Sequence, residues 1–127
     1  MIKQDNSLIR VLLVDDDEDD YILTKYLFDD FKDNRYQLDW TSSYDQALCA
    51  MEAGDYNIYL VDYHLGAKNG LDLLRQAISD GCKAPIVLLT GQDDIEVDMK
   101  AMQAGAAEYL VKGQFEAELL ERVIRYN

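Results

Sequence analysis

A chain of 127 residues, of which 49 % are apolar and 29 % charged, can fold as one domain around a buried core without disulfides or a structural metal. The formal net charge of −13 opposes direct binding to nucleic acid, because two strongly anionic surfaces repel one another. With one histidine and two cysteines, the chain cannot build a zinc or copper site on a histidine cluster. We expect the two cysteines to be buried as small apolar side chains.

The ends of the chain and its hydropathy indicate a cytoplasmic protein. No run of about 18 apolar residues is long enough to cross a membrane, and Met1–Ser7 lacks the apolar core of a signal peptide. Residues 1–8 are predicted to form a short polar arm. Residues 1–127 are predicted to form a single domain, either standing alone or as the N-terminal part of a longer signalling protein.

Five β-prone segments are predicted to be strands. Four are almost entirely apolar, which is typical of strands buried on both faces of a parallel sheet. The second alternates apolar and polar residues and is therefore expected at a sheet edge. In chain order the predicted strands are 9–14, 36–41, 58–62, 86–90 and 108–111.

Five helices are predicted from apolar residues that recur at three- and four-residue steps. They cover residues 18–31, 44–53, 71–79, 95–104 and 115–126. The apolar residues expected to face the core are, in the first helix, Ile22, Leu23, Tyr26, Leu27 and Phe31, in the third, Leu71, Leu74, Ala77 and Ile78, and in the fourth, Ile95, Met99 and Met102.

Strict alternation of strands and helices predicts an α/β fold with right-handed crossovers. The expected architecture is a doubly wound, flavodoxin-like parallel sheet in the order 2-1-3-4-5. The point where the strand order reverses then falls between the first and third strands, where such sheets build their sites.

Four predicted strands are followed by, or end in, a polar side chain at the same edge of the sheet: Asp15 and Asp16, Asp62, Thr90, and Lys112. A lone carboxylate at a strand end is commonly a turn or helix cap, but the joint pattern predicts one shared site. Three neighbouring carboxylates repel one another and tend to hold their protons. Lys112 and a hard divalent cation such as Mg²⁺, which prefers oxygen ligands, would offset this repulsion.

Acidic residues also open the first predicted helix. Glu18, Asp19 and Asp20 are accounted for by their favourable interaction with the positive end of the helix dipole.

The site pattern resembles the receiver domain of two-component response regulators over nearly the whole chain. The matching motifs are Val14-Asp15-Asp16, Asp62 with Gly70 eight residues later, Leu89-Thr90-Gly91, and Tyr109-Leu110-Val111-Lys112.

The resemblance implies that Asp62 is the phosphoacceptor, which receives its phosphoryl group from a partner histidine kinase or phosphotransfer protein. It implies that Asp15, Asp16, Asp62 and the main-chain carbonyl of His64 bind Mg²⁺. The protein is then expected to be a signalling phosphoacceptor and not an enzyme, assisting only its own phosphorylation and dephosphorylation.

The resemblance also implies a switch. Thr90 would bond a phosphoryl oxygen, Lys112 would pair with the phosphoryl group, and Tyr109 would turn inward as the hydroxyl moves. His64 and Gln92 occupy positions that in this family influence hydrolysis of the acyl phosphate, although each is equally well explained as a solvated loop residue.

A downstream effector or a tethered output domain is the expected partner of the switched surface. The face formed by the fourth and fifth helices with Tyr109 is predicted to bind that partner or to form a weak homodimer.

Two glycines depart from the family pattern. Gly66 stands where the family often has proline, and Gly113 follows Lys112 where the family usually has proline after a cis peptide bond. A cis bond before a residue other than proline costs about 3 kcal/mol. We therefore expect a trans Lys112–Gly113 bond and a locally different loop.

Two other functions compete with the receiver interpretation. One is a phosphatase with an aspartyl-phosphate intermediate, but its second acid would have to stand where this chain has His64. The other is a receiver-shaped binding module that is never phosphorylated, against which the complete set of site residues argues.

Overall fold

The structure, a computed structural model, describes residues 8–32 and 35–127. Most of the predicted arm lies outside the described residues. The described helices are α1 (Glu18–Asp29), α2 (Tyr44–Ala53), α3 (Gly70–Ser79), α4 (Ile95–Ala104) and α5 (Ala117–Arg125). The described strands are β1 (Ile9–Val14), β2 (Tyr36–Thr41), β3 (Ile58–Asp62), β4 (His64–Leu65), β5 (Lys68–Asn69), β6 (Ile86–Thr90) and β7 (Glu108–Val111). None of these helices is long and apolar enough to cross a bilayer.

The main sheet has five strands in the order β2-β1-β3-β6-β7, and all of its pairs are parallel. This confirms the predicted order 2-1-3-4-5. The fourth and fifth predicted strands are β6 and β7 here, because the short strands β4 and β5 precede them. The register places the carboxyl ends of the strands level with one another. Val14 pairs with Val61, Asp62 with Leu89, and Thr90 with Val111.

The core lies in two layers, one on each face of the sheet. Along β3, Tyr59 and Val61 pack towards α2 and α3, whereas Ile58 and Leu60 pack towards α5. Every residue of β3, including Asp62 at its end, is buried. The period-2 alternation of a strand covered on both faces explains why this segment is apolar without a break.

The long connection between β3 and α3 contains a small hairpin, which the sequence did not predict. Strands β4 and β5 pair in antiparallel fashion, and Gly66 between them has a φ of 67°. Gly113 likewise has a φ of 79°, which proline cannot adopt. No peptide bond between described residues is cis, so the expected trans bond after Lys112 is confirmed.

The predicted inner face of α1 is correct in part. Leu27 and Phe31 pack in the core as predicted, whereas Ile22, Leu23 and Tyr26 are exposed. Aromatic contacts anchor the helix. The ring of Tyr21 stacks on Trp40 with centroids 5.0 Å apart, and Phe28 packs on Phe31 with centroids 4.6 Å apart. The helix also ends at Asp29 rather than near residue 31.

The predicted inner face of α3 is largely confirmed, since Leu71, Leu74 and Ala77 are buried and only Ile78 of that set is exposed. The predicted face of α4 is wrong, because Ile95, Met99 and Met102 are exposed. Ala101 is the buried residue of α4, so this helix packs through a small side chain and its large apolar residues remain outside.

Neither cysteine is fully buried, contrary to expectation, since Cys49 is exposed and Cys82 is half-buried.

Gly70 starts α3 directly against the end of β3. A Cβ atom on Gly70 would lie 2.3 Å from the main-chain oxygen of Asp62 and 3.0 Å from Leu88 Cδ1. Gly70→Ala should therefore lower the free energy of unfolding by about 1–3 kcal/mol, the usual effect of overpacking, measured by urea denaturation. Gly91→Ala is the matched control, because a Cβ there would meet nothing within 4 Å. Equal effects of the two substitutions would contradict this account.

Candidate functional site

The ammonium group of Lys112 lies among three carboxylates. Its Nζ donates hydrogen bonds to Asp15 Oδ2 at 2.8 Å and Asp20 Oδ2 at 2.6 Å, and it lies 3.0 Å from Asp62 Oδ1. A lysine ammonium has three protons to donate. All three are therefore engaged, each by a different carboxylate.

Main-chain hydrogen bonds hold the strand ends that carry these side chains. Lys112 N–H donates to the carbonyl of Thr90 at 2.7 Å, which extends the pairing of β7 with β6. Tyr63 N–H donates to the carbonyl of Leu89 at 2.7 Å, which does the same for β3 and β6. Asp62 and Lys112 thus stand on rigid supports two strands apart, a gap that a long lysine side chain can span.

Hydrogen bonds to Asp15 fix the loop between β1 and α1. The main-chain carbonyl of Asp15 accepts the indole N–H of Trp40 at 2.8 Å, and the Asp15 carboxylate accepts Asp17 N–H at 3.0 Å. Asp17 in turn caps α1 by accepting Asp19 N–H at 2.9 Å. The first turn of α1 therefore begins beside the site and places Asp20 next to Lys112.

Asp15, Asp16 and Asp62 form an acidic cluster. Oxygen atoms from the three carboxylates lie within 4.8 Å of one another. Asp15 and Asp62 are buried, and Asp16 is exposed. Asp16 Oδ2 also accepts Gly66 N–H at 3.1 Å. An all-oxygen set with one solvent-facing member fits a hard divalent cation that retains some of its water.

Burial and charge shift the protonation of the site in opposite directions. Burial raises the pKa of Asp15 to about 6, although the hydrogen bond from Lys112 acts against this rise. Burial likewise raises the pKa of Asp62, again opposed by Lys112. Burial lowers the pKa of Lys112, but hydrogen bonds to Asp15, Asp20 and Asp62 outweigh it and raise that pKa overall. Lys112 therefore stays positively charged, and its single charge neutralises only part of the negative charge of the carboxylates.

Thr90 and Tyr109 are connected through the loop between β6 and α4. The buried Thr90 donates its hydroxyl proton to the carbonyl of Gln92 at 3.1 Å. The hydroxyl of Tyr109 accepts Asp94 N–H at 3.0 Å and lies 3.5 Å from the same Gln92 carbonyl. A rearrangement of the loop backbone at Gln92 would therefore alter both side chains.

The structure groups most of the predicted site residues but not all of them. Asp15, Asp16, Asp62 and Lys112 meet at the sheet edge, as predicted from the strand ends. His64 is exposed in the hairpin, with its ring 5.1 Å from that of Tyr63.

Asp20 is a site residue that sequence reasoning missed. One feature of the sequence pointed to it: Asp20 lies in the first turn of the helix that follows the first strand and Asp15 directly. The favourable helix dipole was a sufficient explanation of Asp20 on its own, and so concealed its contact with Lys112.

Comparison with known proteins shows which family the chain belongs to. The family model of the response regulator receiver domain matches residues 11–124. The chain belongs to this family. The chain is 33 % identical over 115 residues to a probable transcriptional regulatory protein, y4xI, of Sinorhizobium fredii, covering 91 % of this chain and 49 % of the relative. The receiver spans at most about half the length of the first curated relatives it matches.

Solved receiver structures share the fold. A CheY-like receiver domain protein from Methanospirillum hungatei is 27 % identical, with a TM-score of 0.78 and 94 % coverage of both chains. A response regulator from Burkholderia pseudomallei, solved with a phosphorylated aspartic acid, a calcium ion and citrate, is 27 % identical with a TM-score of 0.74. That alignment covers 91 % of this receiver and 65 % of the Burkholderia chain.

Because the pKa of Asp15 is raised, we predict that this residue makes the stability of the metal-free receiver depend on pH. Its ordinary pKa is 3.8 and its folded value about 6, so between these values the folded state binds more protons than the unfolded state. The contribution of Asp15 to stability therefore falls as pH rises through this window. The stability of Asp15→Asn relative to wild type should rise across the same window in urea denaturation with a chelator present. The exposed Asp45→Asn is the control, and a pH-independent difference for Asp15→Asn would contradict the prediction.

Proposed function

We propose that this receiver accepts a phosphoryl group on Asp62 from a phosphohistidine of a partner histidine kinase or phosphotransfer protein. The observation that supports it best is the buried Asp62 carboxylate, 3.0 Å from Lys112 and clustered with Asp15 and Asp16. In the transfer, an Asp62 oxygen attacks phosphorus and forms the new P–O bond. The P–N bond breaks, and its electron pair returns to the histidine ring of the donor.

Positioning and charge neutralisation are the main requirements of phosphoryl transfer. Lys112 would donate to a phosphoryl oxygen and offset part of its negative charge. Asp15, Asp16, Asp62 and the main-chain carbonyl of His64 would hold Mg²⁺. The bound cation would supply the remaining neutralisation of the phosphoryl oxygens.

Phosphorylation would be reported through Thr90 and Tyr109. The Thr90 hydroxyl bonds its own loop at the Gln92 carbonyl, and it would exchange that acceptor for a phosphoryl oxygen. Movement of the loop would also release Tyr109, whose hydroxyl depends on Asp94 N–H and lies near the Gln92 carbonyl. Gln92 lies in the loop after β6 and His64 lies in strand β4 of the neighbouring hairpin. From these positions the two side chains would influence the lifetime of the acyl phosphate.

The proposed readout is a cytoplasmic downstream effector or a tethered output domain. Two of the relatives named as transcriptional regulators are about twice as long as this receiver, which supports a separate output element. The face of α4, β7 and α5 would bind it or form a weak homodimer. Exposed Ile95, Met99 and Met102 on α4 provide apolar surface for such a contact.

The family match does not favour the phosphatase or the passive binding module. The receiver is proposed to act as a phosphoacceptor that assists only its own phosphorylation and dephosphorylation.

Incubation with phosphoramidate or acetyl phosphate and Mg²⁺ should give a labile acyl phosphate on Asp62, because the carboxylate is held beside Lys112. The product is measured by intact mass and by its sensitivity to hydroxylamine. Asp62→Asn should abolish labelling and chelation of Mg²⁺ should suppress it, whereas the exposed Asp45→Asn should label as wild type does. Labelling that persists in Asp62→Asn would overturn the assignment.

The proposed switch is tested with a pair of substitutions at Thr90. Thr90→Val removes the hydroxyl and keeps the shape of the side chain, whereas Thr90→Ser keeps the hydroxyl. Phosphorylation should shift the NMR signal of the Tyr109 ring in wild type and Thr90→Ser, and should leave it largely unmoved in Thr90→Val. An equal shift in all three proteins would show that Tyr109 moves independently of the hydroxyl.

A further inference from the structure

We propose that Asp20 is a positioning residue that holds Lys112 in the unphosphorylated receiver and competes with the phosphoryl group for the lysine ammonium. This inference rests on the proposed function. It starts from the shortest contact of the ammonium, 2.6 Å to Asp20 Oδ2, a carboxylate that belongs to neither the strand ends nor the acidic cluster.

The ammonium group of Lys112 is in contact with as many carboxylates as it has protons. Asp15, Asp20 and Asp62 take one contact each at 2.8, 2.6 and 3.0 Å, and an ammonium group has three protons. A phosphoryl group on Asp62 projects beyond the carboxylate oxygen that Lys112 contacts, so Lys112 has to shift outward to donate to a phosphoryl oxygen. The hydrogen bonds to Asp15 and Asp20 oppose that shift, and one of them has to be given up.

Differences in burial indicate which carboxylate gives way. The side chain of Asp20 is 27 % exposed, compared with 0 % for Asp15 and 5 % for Asp62. A carboxylate that loses its partner in a buried place is left desolvated, at a large cost, whereas a partly exposed one regains water. Asp15 is also tied to Asp17 N–H, and Asp62 carries the phosphoryl group itself. Asp20 is the partner that can be released.

The neighbouring residue Asp19 supplies a matched control. It carries the same charge in the same first turn of α1, so its interaction with the helix dipole is similar. It is exposed, and the carboxylates that surround Lys112 are those of Asp15, Asp20 and Asp62. Comparing Asp20→Asn with Asp19→Asn therefore separates competition for Lys112 from a general loss of negative charge.

The test measures equilibrium binding of beryllofluoride, a mimic of the phosphoryl group, at saturating Mg²⁺. Asp20→Asn should bind it about threefold more tightly than wild type or better, in line with the upper range for a partly exposed ion pair. Asp19→Asn should stay close to wild type, and Asp20→Glu, which keeps the charge, should return towards wild type. Weaker or unchanged binding by Asp20→Asn would overturn the inference.

A second readout follows Lys112 without any affinity measurement. The NMR signal of the Lys112 Cε should shift when beryllofluoride is added to wild type, as the contact with Asp20 is exchanged. In free, metal-free Asp20→Asn that signal should already differ from wild type, whereas in Asp19→Asn it should not. Coincident signals in wild type and Asp20→Asn would refute a positioning role.

If wild type binds no beryllofluoride and takes up no phosphoryl group, the proposed function fails and this inference with it. If wild type binds and the two Asn variants behave alike, only the inference fails.

Discussion

The ion cluster at Lys112 is the interaction on which the rest of the site depends. One ammonium faces the carboxylates of Asp15, Asp20 and Asp62, so the group stays anionic even before Asp16 is included. Two of these acids are buried, and their pKa values rise mainly because burial disfavours the charged form, with a smaller contribution from repulsion between the carboxylates. The single positive charge of Lys112 therefore does not balance the negative charges of the carboxylates around it. The remaining negative charge favours the binding of a further cation.

A parallel sheet is what brings these charges together. Asp62 and Lys112 lie 50 residues apart in the chain, yet the register of β3, β6 and β7 places them at one edge. The supports are stiff, since main-chain hydrogen bonds extend past the strand ends and Gly70 lets α3 begin against Asp62. The elements around this edge are softer. The contacts of Thr90 and Tyr109 run through a loop carbonyl rather than through the sheet. The charged groups therefore lie on rigid elements, whereas Thr90 and Tyr109 are connected through a loop.

The sequence predicted the sheet and most of the site because both depend on local patterns. Unbroken apolar runs mark buried strands, and the residue at the end of each run lies at a known edge. The faces of the helices were harder to predict, because Ile22, Leu23 and Tyr26 are as apolar as the aromatic residues that anchor α1. Which stripe packs depends on partners such as Trp40, and these are distant in sequence. Asp20 was missed for the same reason, since its contact with Lys112 spans 92 residues.

The two glycines that depart from the family pattern act on the site in different ways. Gly113 has a φ of 79° and turns the chain after Lys112 through a conformation closed to proline. Gly66 donates its N–H to Asp16 Oδ2, a bond that proline could not form because it has no N–H. The hairpin is thereby fastened to the exposed carboxylate of the acidic cluster. Gly66 thus connects the hairpin directly to a carboxylate of the cluster that is suited to a hard divalent cation.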